Sequence, residues 1–257
     1  MNSADQRSHR DKIIGQFSRQ AIPFTQVPGH LDALQLLISL SGVGREDTVL
    51  DVACGPGIVA CAFARHAKQV TGLDITPAMI EQAEVRQRQE KLGNLAWVVD
   101  RADSLPYADD TFSLVITRYS FHHMLSAETM LNEMVRVCQK GGRVLVADVA
   151  VETEHSDAYD RLERTRDPSH THALTRAEFA DLFERSGLIN CRQSAYGVDI
   201  ELESQLRASF PNPGDERIVR EMITDDVGIN RLGIDARRQD GQVIYTVPIA
   251  VYMGWKL

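Results

Sequence analysis

The stretch 49–64, VLDVACGPGIVACAFA, runs an apolar strand straight into Gly55-x-Gly57 and then into an apolar helix. A strand feeding a glycine turn and a helix commits the chain to a βα crossover, and hence to parallel strand pairing within an α/β fold. Glycines at the turn let backbone amides at the helix start approach a ligand closely, which suits a nucleotide-like cofactor. The spacing of Gly55, Gly57 and Ala60 also satisfies the dinucleotide pattern GxGxxA, so the glycines alone leave the ligand undecided.

The alternation continues along the chain. Strand-like runs begin at Thr48 (TVLDVA), Gln69 (QVTGLD), Leu95 (LAWVVD), Phe112 (FSLVIT) and Arg143 (RVLVADVA), with helical stretches after Gly57, at 76–93 and at 126–142. Thr76 as N-cap, Pro77 at the first helical position and Gly93 beyond the end punctuate the second of these helices. This pattern predicts a parallel sheet with right-handed crossovers and helices on both faces. Upstream, Ile13, Ile14, Phe17, Ile22 and Phe24 punctuate a polar segment that reads as a short helix and flap. Leu31, Leu34 and Ile38 then mark a helix that Gly42 and Gly44 end.

Beyond Ala150 the charged segment VETEHSDAYDRLERTRDPSHTHALT reads as a helical insertion over the carboxyl edge of the sheet. Thr175 and Glu178 are spaced as a capping box for the next helix. Runs at 188–198 and 242–257 are strand-like and close the sheet as a hairpin-like pair, with a long polar stretch holding Pro211, Pro213 and Gly214 between them. The expected organisation is an N-terminal flap (1–29), a nucleotide-binding core (30–150), a helical lid (151–174), and a C-terminal part of the core with a substrate-covering insertion (175–257).

Asp51 narrows the ligand. It precedes the glycines at the end of the first strand, where a carboxylate would repel a pyrophosphate but suit the ammonium and sulfonium of S-adenosylmethionine. Asp74 ends the second strand, at the place where an acid takes ribose hydroxyls in nucleotide-binding βαβ units; capping the helix at Thr76 is its other reading. The loop RADSLPYADD offers a carboxylate and backbone amides to an adenine edge, or is simply an exposed turn.

Together, VLDVACGPG, VTGLDITPAMIEQA, LPYADDTFSLVITRYSFHHM and EMVRVCQKGGRVLVADV resemble the ubiquinone/menaquinone-biosynthesis-type class I methyltransferases (methyltransferase type 11) over 48–150. The resemblance implies a Rossmann-like seven-stranded, mostly parallel sheet with S-adenosylmethionine across the carboxyl ends of its first strands and S-adenosylhomocysteine as product. It also implies that Asp51, Ala53, Gly55 and Gly57 surround the methionyl part, that Asp74 holds the ribose and that Ile75 and Met79 pack on adenine. Ala53 stands where the family has its first glycine, which is tolerable if its φ stays negative. Arg101 stands where the family has its adenine-loop Asp, so the adenine contact is assigned jointly to Ala102 and Asp103. Arg118, at the end of the fourth strand, is counted with the cofactor residues.

Methyl transfer is an in-line displacement at an activated carbon, so alignment does most of the work. An acceptor atom that carries a proton needs a base as well. His122 and His123 follow the fourth strand at the expected mouth of the site and are the candidates, with capping or packing as their alternative. Phe17, Tyr119, Phe121 and Tyr159 are candidates to line an apolar acceptor pocket, or are ordinary core and lid residues. Arg118 and Arg166 could meet an acceptor carboxylate or phenolate, and His170 the acceptor itself; surface pairing is the other account of Arg166. Nothing in the spacing of His122, His123, His170 and His172 marks a metal site, and none is expected.

A net charge of −8 argues against a nucleic-acid partner, and the Arg161, Arg164 and Arg166 patch is interleaved with Asp160, Glu163 and Asp167. The four cysteines form no CxxC pair, and neither a secretory signal nor a membrane span is visible, so a cytoplasmic location is expected. The expected partner is a small-molecule methyl acceptor, with homodimer formation allowed. By the resemblance, carbon methylation is slightly favoured over oxygen or nitrogen, in small-molecule biosynthesis. The competing readings are an NAD(P)-dependent oxidoreductase and a non-catalytic S-adenosylmethionine-binding protein.

Overall fold

The computed structural model describes residues 3–23 and 33–257. In chain order the elements are α1 (Ser3–Gln20), α2 (Leu34–Ser41), β1 (Thr48–Val52), α3 (Ile58–Ala64), β2 (Gln69–Asp74), α4 (Pro77–Glu90), β3 (Leu95–Val99), β4 (Phe112–Arg118), α5 (Ala127–Val137) and β5 (Cys138–Val149). There follow α6 (Ser156–Arg166), α7 (Arg176–Arg185), β6 (Ile189–Glu201), α8 (Leu202–Ala208), α9 (Asp215–Asp225), β7 (Arg237–Gln239) and β8 (Gln242–Trp255).

The strands order as β3-β2-β1-β4-β5-β8-β6, with β7 on β8, making an eight-stranded sheet among the described residues. β1 to β5 are parallel and β8 is antiparallel to both β5 and β6. Side chains alternate across the central strands. Val49, Leu114, Leu145 and Val251 enter one core cluster, and their neighbours Leu50, Val115, Val144 and Ala250 enter the other. Helices cover both faces, so these strands read as continuous apolar runs; fully burying a leucine-sized side chain contributes ~1.5–3 kcal/mol. β1 lies between β2 and β4, so the strand order reverses beside it and opens a crevice at its carboxyl end.

Several expectations are corrected. The N-terminal helix is long, 18 residues, because Ile13, Gln16, Gln20 and Ala21 are buried against the body. Phe24, His30 and Leu31 lie outside the described residues. Helix 126–142 stops at Val137, and 138–142 joins β5 through an irregularity beside Gly141, whose φ is +75°. α4 ends at Lys91 in the left-handed region rather than at Gly93. Thr76 caps α4 by position, but its side chain makes no capping bond to the helix, and its amide goes to Asp74. The polar stretch between the last two long strands contains α8, α9 and β7, which adds a strand to the expected seven. Gly42 does end α2, and the Thr175/Glu178 capping box is formed. Among the described residues no helix is long and apolar enough to cross a membrane.

Candidate active site

One continuous cleft opens above the carboxyl ends of β1, β2 and β4, roofed by α1 and closed at its far end by α6, β6 and β8. Its near half is built on the glycine turn. Gly55 donates its amide to Asp74 Oδ2 at 2.8 Å, and Thr76 donates to Asp74 Oδ1 at 2.8 Å. Asp74 therefore clamps the loop after β1 to the start of α4, and an ionised carboxylate still keeps lone pairs for a ligand. Ile75 and Met79 line the cleft beside it.

Asp51 is 1% exposed, and its Oδ2 has no hydrogen-bond partner among the described residues. Burial pushes its carboxyl up to about 7; the Arg118 guanidinium opposes this and the Asp74 charge adds to it. Arg118 stacks over the Tyr119 ring at 4.7 Å. Ala53 lines the cleft at φ +55°, contrary to the negative φ expected, so a strained alanine stands where glycine would sit freely. Gly57 is not in the lining. Its φ is +75°, and a Cβ there would lie 2.8 Å from the Trp97 ring and 2.9 Å from Ala83 Cβ, so the residue allows α3 and α4 to close together.

In the loop after β3, Arg101 turns back onto Asp103 with two bonds of 2.8 Å. The departure at 101 is thus compensated internally. Asp103 lines the cleft with its carboxylate engaged, Ala102 lies beside it, and Asp100, which the sequence reading passed over, faces the same space.

The far half centres on a 3₁₀ turn, Phe121–His123, after β4. Tyr119 enters it at φ +59° and meets the Tyr196 hydroxyl at 2.9 Å. His122 donates Nδ1–H to Asp148 Oδ1 at 2.5 Å, while Asp148 Oδ2 receives the amides of Ser120 and Phe121 at 2.7 and 2.6 Å. Burial works against a charged His122, but the Asp148 carboxylate and its hydrogen bond outweigh it and hold the imidazole above its ordinary value. His123 is driven the other way, by burial and by the charge of His122. His123 Nδ1 donates to Ser169 Oγ at 3.1 Å, Ser169 donates to Asp167 at 2.6 Å, and Gln20 of α1 donates to the same carboxylate at 3.1 Å.

Phe17 places its ring edge-on to His123 at 4.9 Å, and with Tyr159, Arg166 and Tyr119 it lines the cleft. Phe121 does not: its ring stacks on Phe179 in the second core cluster. Nor does His170, which is buried behind His122 and donates Nε2–H to Asp160 at 2.8 Å. Sequence reasoning missed Asp148, although an acid ending a strand that neighbours β4 was visible in RVLVADV, as were the α1 residues Gln6, His9 and Ile13. Val198, Val247 and Ile249 fall in runs read as strand and Ile200 just beyond one, and none was assigned to the site that they wall.

A family profile described as a methyltransferase domain matches residues 50–146. The uncharacterized methyltransferase YcgJ of Bacillus subtilis (strain 168) is 29% identical over 192 residues, covering 74% of this chain and 76% of that protein. Its crystal structure superposes with a TM-score of 0.80 at 24% identity, over 88% of this chain and 99% of that one. The ubiquinone/menaquinone biosynthesis C-methyltransferase UbiE of Klebsiella pneumoniae is 33% identical over 129 residues, 48% of this chain and 51% of that protein. The profile lies over the strands that build the cleft, and on this fold the chain carries a methyltransferase domain similar to those of the class I S-adenosylmethionine-dependent enzymes.

Proposed function

We propose that the near half of the cleft holds S-adenosylmethionine and the far half a small-molecule acceptor, whose proton passes to His122 as it is methylated. The observation that carries this reading is the buried, unpartnered Oδ2 of Asp51, an acceptor that lacks only a cation. A methionyl ammonium supplies one, whereas a pyrophosphate would meet repulsion from Asp51 and Asp74 together. Two neighbours of this fold are described with S-adenosylhomocysteine bound, a Haemonchus contortus phosphoethanolamine N-methyltransferase and a Streptomyces coelicolor geranyl diphosphate C-methyltransferase, at TM-scores of 0.63 and 0.59.

When bound, the cofactor supplies a methyl carbon already activated by its sulfonium. The chain's own residues do the rest. Asp74 and Asp103 meet the ribose and adenine ends, and Ile75 and Met79 pack on the base. His122, with Nδ1–H spent on Asp148, turns its bare Nε2 into a proton acceptor. α1 excludes water above both halves. Carbon of an activated aromatic or enolate is the leading acceptor atom, on the likeness to the Klebsiella C-methyltransferase.

Calorimetric titration with S-adenosylhomocysteine and with NADH tests the assignment. Binding of the first without the second is expected; NADH binding without S-adenosylhomocysteine binding overturns it.

A further inference from the structure

The far end of the cleft carries an ion pair that methyl transfer itself does not need. Arg166 of α6 donates Nε to Glu163 Oε1 at 2.9 Å and Nη2 to Glu163 Oε2 at 2.5 Å, and its Nη1 reaches Ser209 Oγ at 3.2 Å. Both side chains are nearly buried, at 12% and 9% exposure, and both line the cleft. The surrounding wall is apolar and phenolic: Val198, Ile200, Tyr159, Tyr245, Val247 and Ile249.

Arginine grips a carboxylate through paired N–H groups, either on its Nε/Nη2 edge or at its Nη1/Nη2 end; here Glu163 fills the first, and Ser209 takes one donor of the second. The adjoining Asp167 is 1% exposed and adds a second negative charge beside the single guanidinium. The burial and the Arg166 charge act in opposite senses on Glu163, and the latter prevails, holding its carboxyl below the usual range. An acceptor bearing a carboxylate or phosphate would reach Arg166 against the charges of Glu163 and Asp167, which outnumber that guanidinium, and with its Nε/Nη2 edge already taken. An uncharged hydroxyl or carbonyl meets no such penalty. Of the five N–H donors of Arg166, three are engaged, and each Glu163 oxygen keeps a second lone pair.

We infer that Glu163, by occupying Arg166, makes the chamber selective for uncharged, largely apolar acceptors that carry a hydroxyl or carbonyl, and that it rejects anionic ones. Masking by an internal carboxylate thus turns an arginine that could bind anions into a neutral polar anchor, a device that works against the wrong ligand rather than for the right one. The inference rests on the methyltransferase reading only for what the chamber holds; the preference among charges is set by Glu163, Arg166 and Asp167, whatever the chamber holds.

The test uses three probes of one shape: 4-ethylphenol, 3-(4-hydroxyphenyl)propionate and tyramine, which are neutral, anionic and cationic. Each is titrated into the full-length protein with and without saturating S-adenosylhomocysteine, whose own binding is read first. Failure of that first binding counts against the methyltransferase reading and leaves the ratio among probes to be read in the cofactor-free protein. The wild type is expected to bind the neutral probe at least about tenfold more tightly than the anion. Glu163→Gln frees the arginine fork and should narrow or reverse that ratio by about tenfold or more, chiefly through gained affinity for the anion. The double variant Glu163→Gln/Arg166→Gln, which keeps a hydrogen-bonding pair without charge, should retain the neutral probe and still reject the anion; it separates loss of masking from a loosened chamber. Equal binding of anion and neutral probe by the wild type, preference for tyramine, failure of all three to bind, or an unchanged ratio in Glu163→Gln overturns the inference.

Discussion

Asp148 receives the Nδ1–H of His122 on one oxygen and the amides of Ser120 and Phe121 on the other, so one buried carboxylate fixes both the imidazole and the turn that presents it. A His122 acting as the proposed base must be neutral, and Asp148 holds its pKa above the ordinary imidazole value. Turnover should therefore rise with pH through a midpoint above about 6.5. In Asp148→Asn the larger raising influence disappears, leaving Glu163 against burial, so the His122 resonance should titrate below that value by NMR. Loss of the base in His122→Gln should slow transfer by roughly 10²–10⁴-fold with S-adenosylhomocysteine affinity retained. An unmoved His122 titration in Asp148→Asn would sink the coupling.

Asp51, raised to about 7 in the free protein by burial, should ionise fully when an ammonium settles beside it. Binding then releases a proton wherever the free carboxyl is protonated. Affinity for S-adenosylhomocysteine should strengthen as pH rises from 6 to about 7 and level off above, by up to roughly tenfold per pH unit at the acid end. Calorimetry in buffers of different ionisation enthalpy reads the proton directly. Asp51→Asn should bind more weakly and flatten this dependence; a variant that keeps the wild-type slope assigns the proton elsewhere.

His123 is kept neutral by burial and by its neighbour His122, so its folded pKa lies below the unfolded one near 6.5. The stability linked to it is complete above about pH 6.5 and is lost as pH falls below that, because the unfolded chain takes up a proton that the folded chain refuses. Phe17 and Gln20 reach this network through the His123 ring and Asp167, so acid should loosen α1 early. Hydrogen exchange along α1 at pH 7 and pH 5 checks this: faster exchange at pH 5, ahead of the central strands, is expected, and uniform protection at both is the contrary result.

Gly57 and Gly55 both stand at positive φ, at +75° and +50°, but only Gly57 is hemmed in by other residues. Gly57→Ala combines left-handed strain with a collision against Trp97 and Ala83 and should cost about 2–5 kcal/mol. Gly55→Ala has open space around its Cβ and should cost about 1–2 kcal/mol. Denaturant titration of the two proteins ranks them; the reverse order would mean that α3 and α4 are free to spread.

What the sequence could disclose divides along physical lines. Strands β1 to β5 were legible because each is a short apolar run between glycines or caps, and such a pattern survives without tertiary context. Asp51 and Asp74 were legible because strand ends place them beside the glycine turn whatever else the chain does. Phe121 was misplaced because the position after β4 fixes a turn but not the face to which each ring points; its partner Phe179 is 58 residues away in a helix that no local pattern connects to it. Arg166 was found, but its ion pair with Glu163 is an i, i+3 contact that a solvated helix would show as well. Only the burial of both partners gives the pair a part in selection. α8 and α9 were hidden by Pro211, Pro213 and Gly214, which in fact separate two helices rather than fill one loop.

α1 carries Phe17 and Gln20 toward the acceptor end and His9 and Ile13 along the same roof, with His9 donating to the His123 carbonyl at 2.7 Å. One helix therefore spans both halves of the cleft. If cofactor and acceptor lie as proposed, both are covered by the same helix, and release of either is tied to how readily α1 lifts from the His123 and Asp167 contacts that hold it.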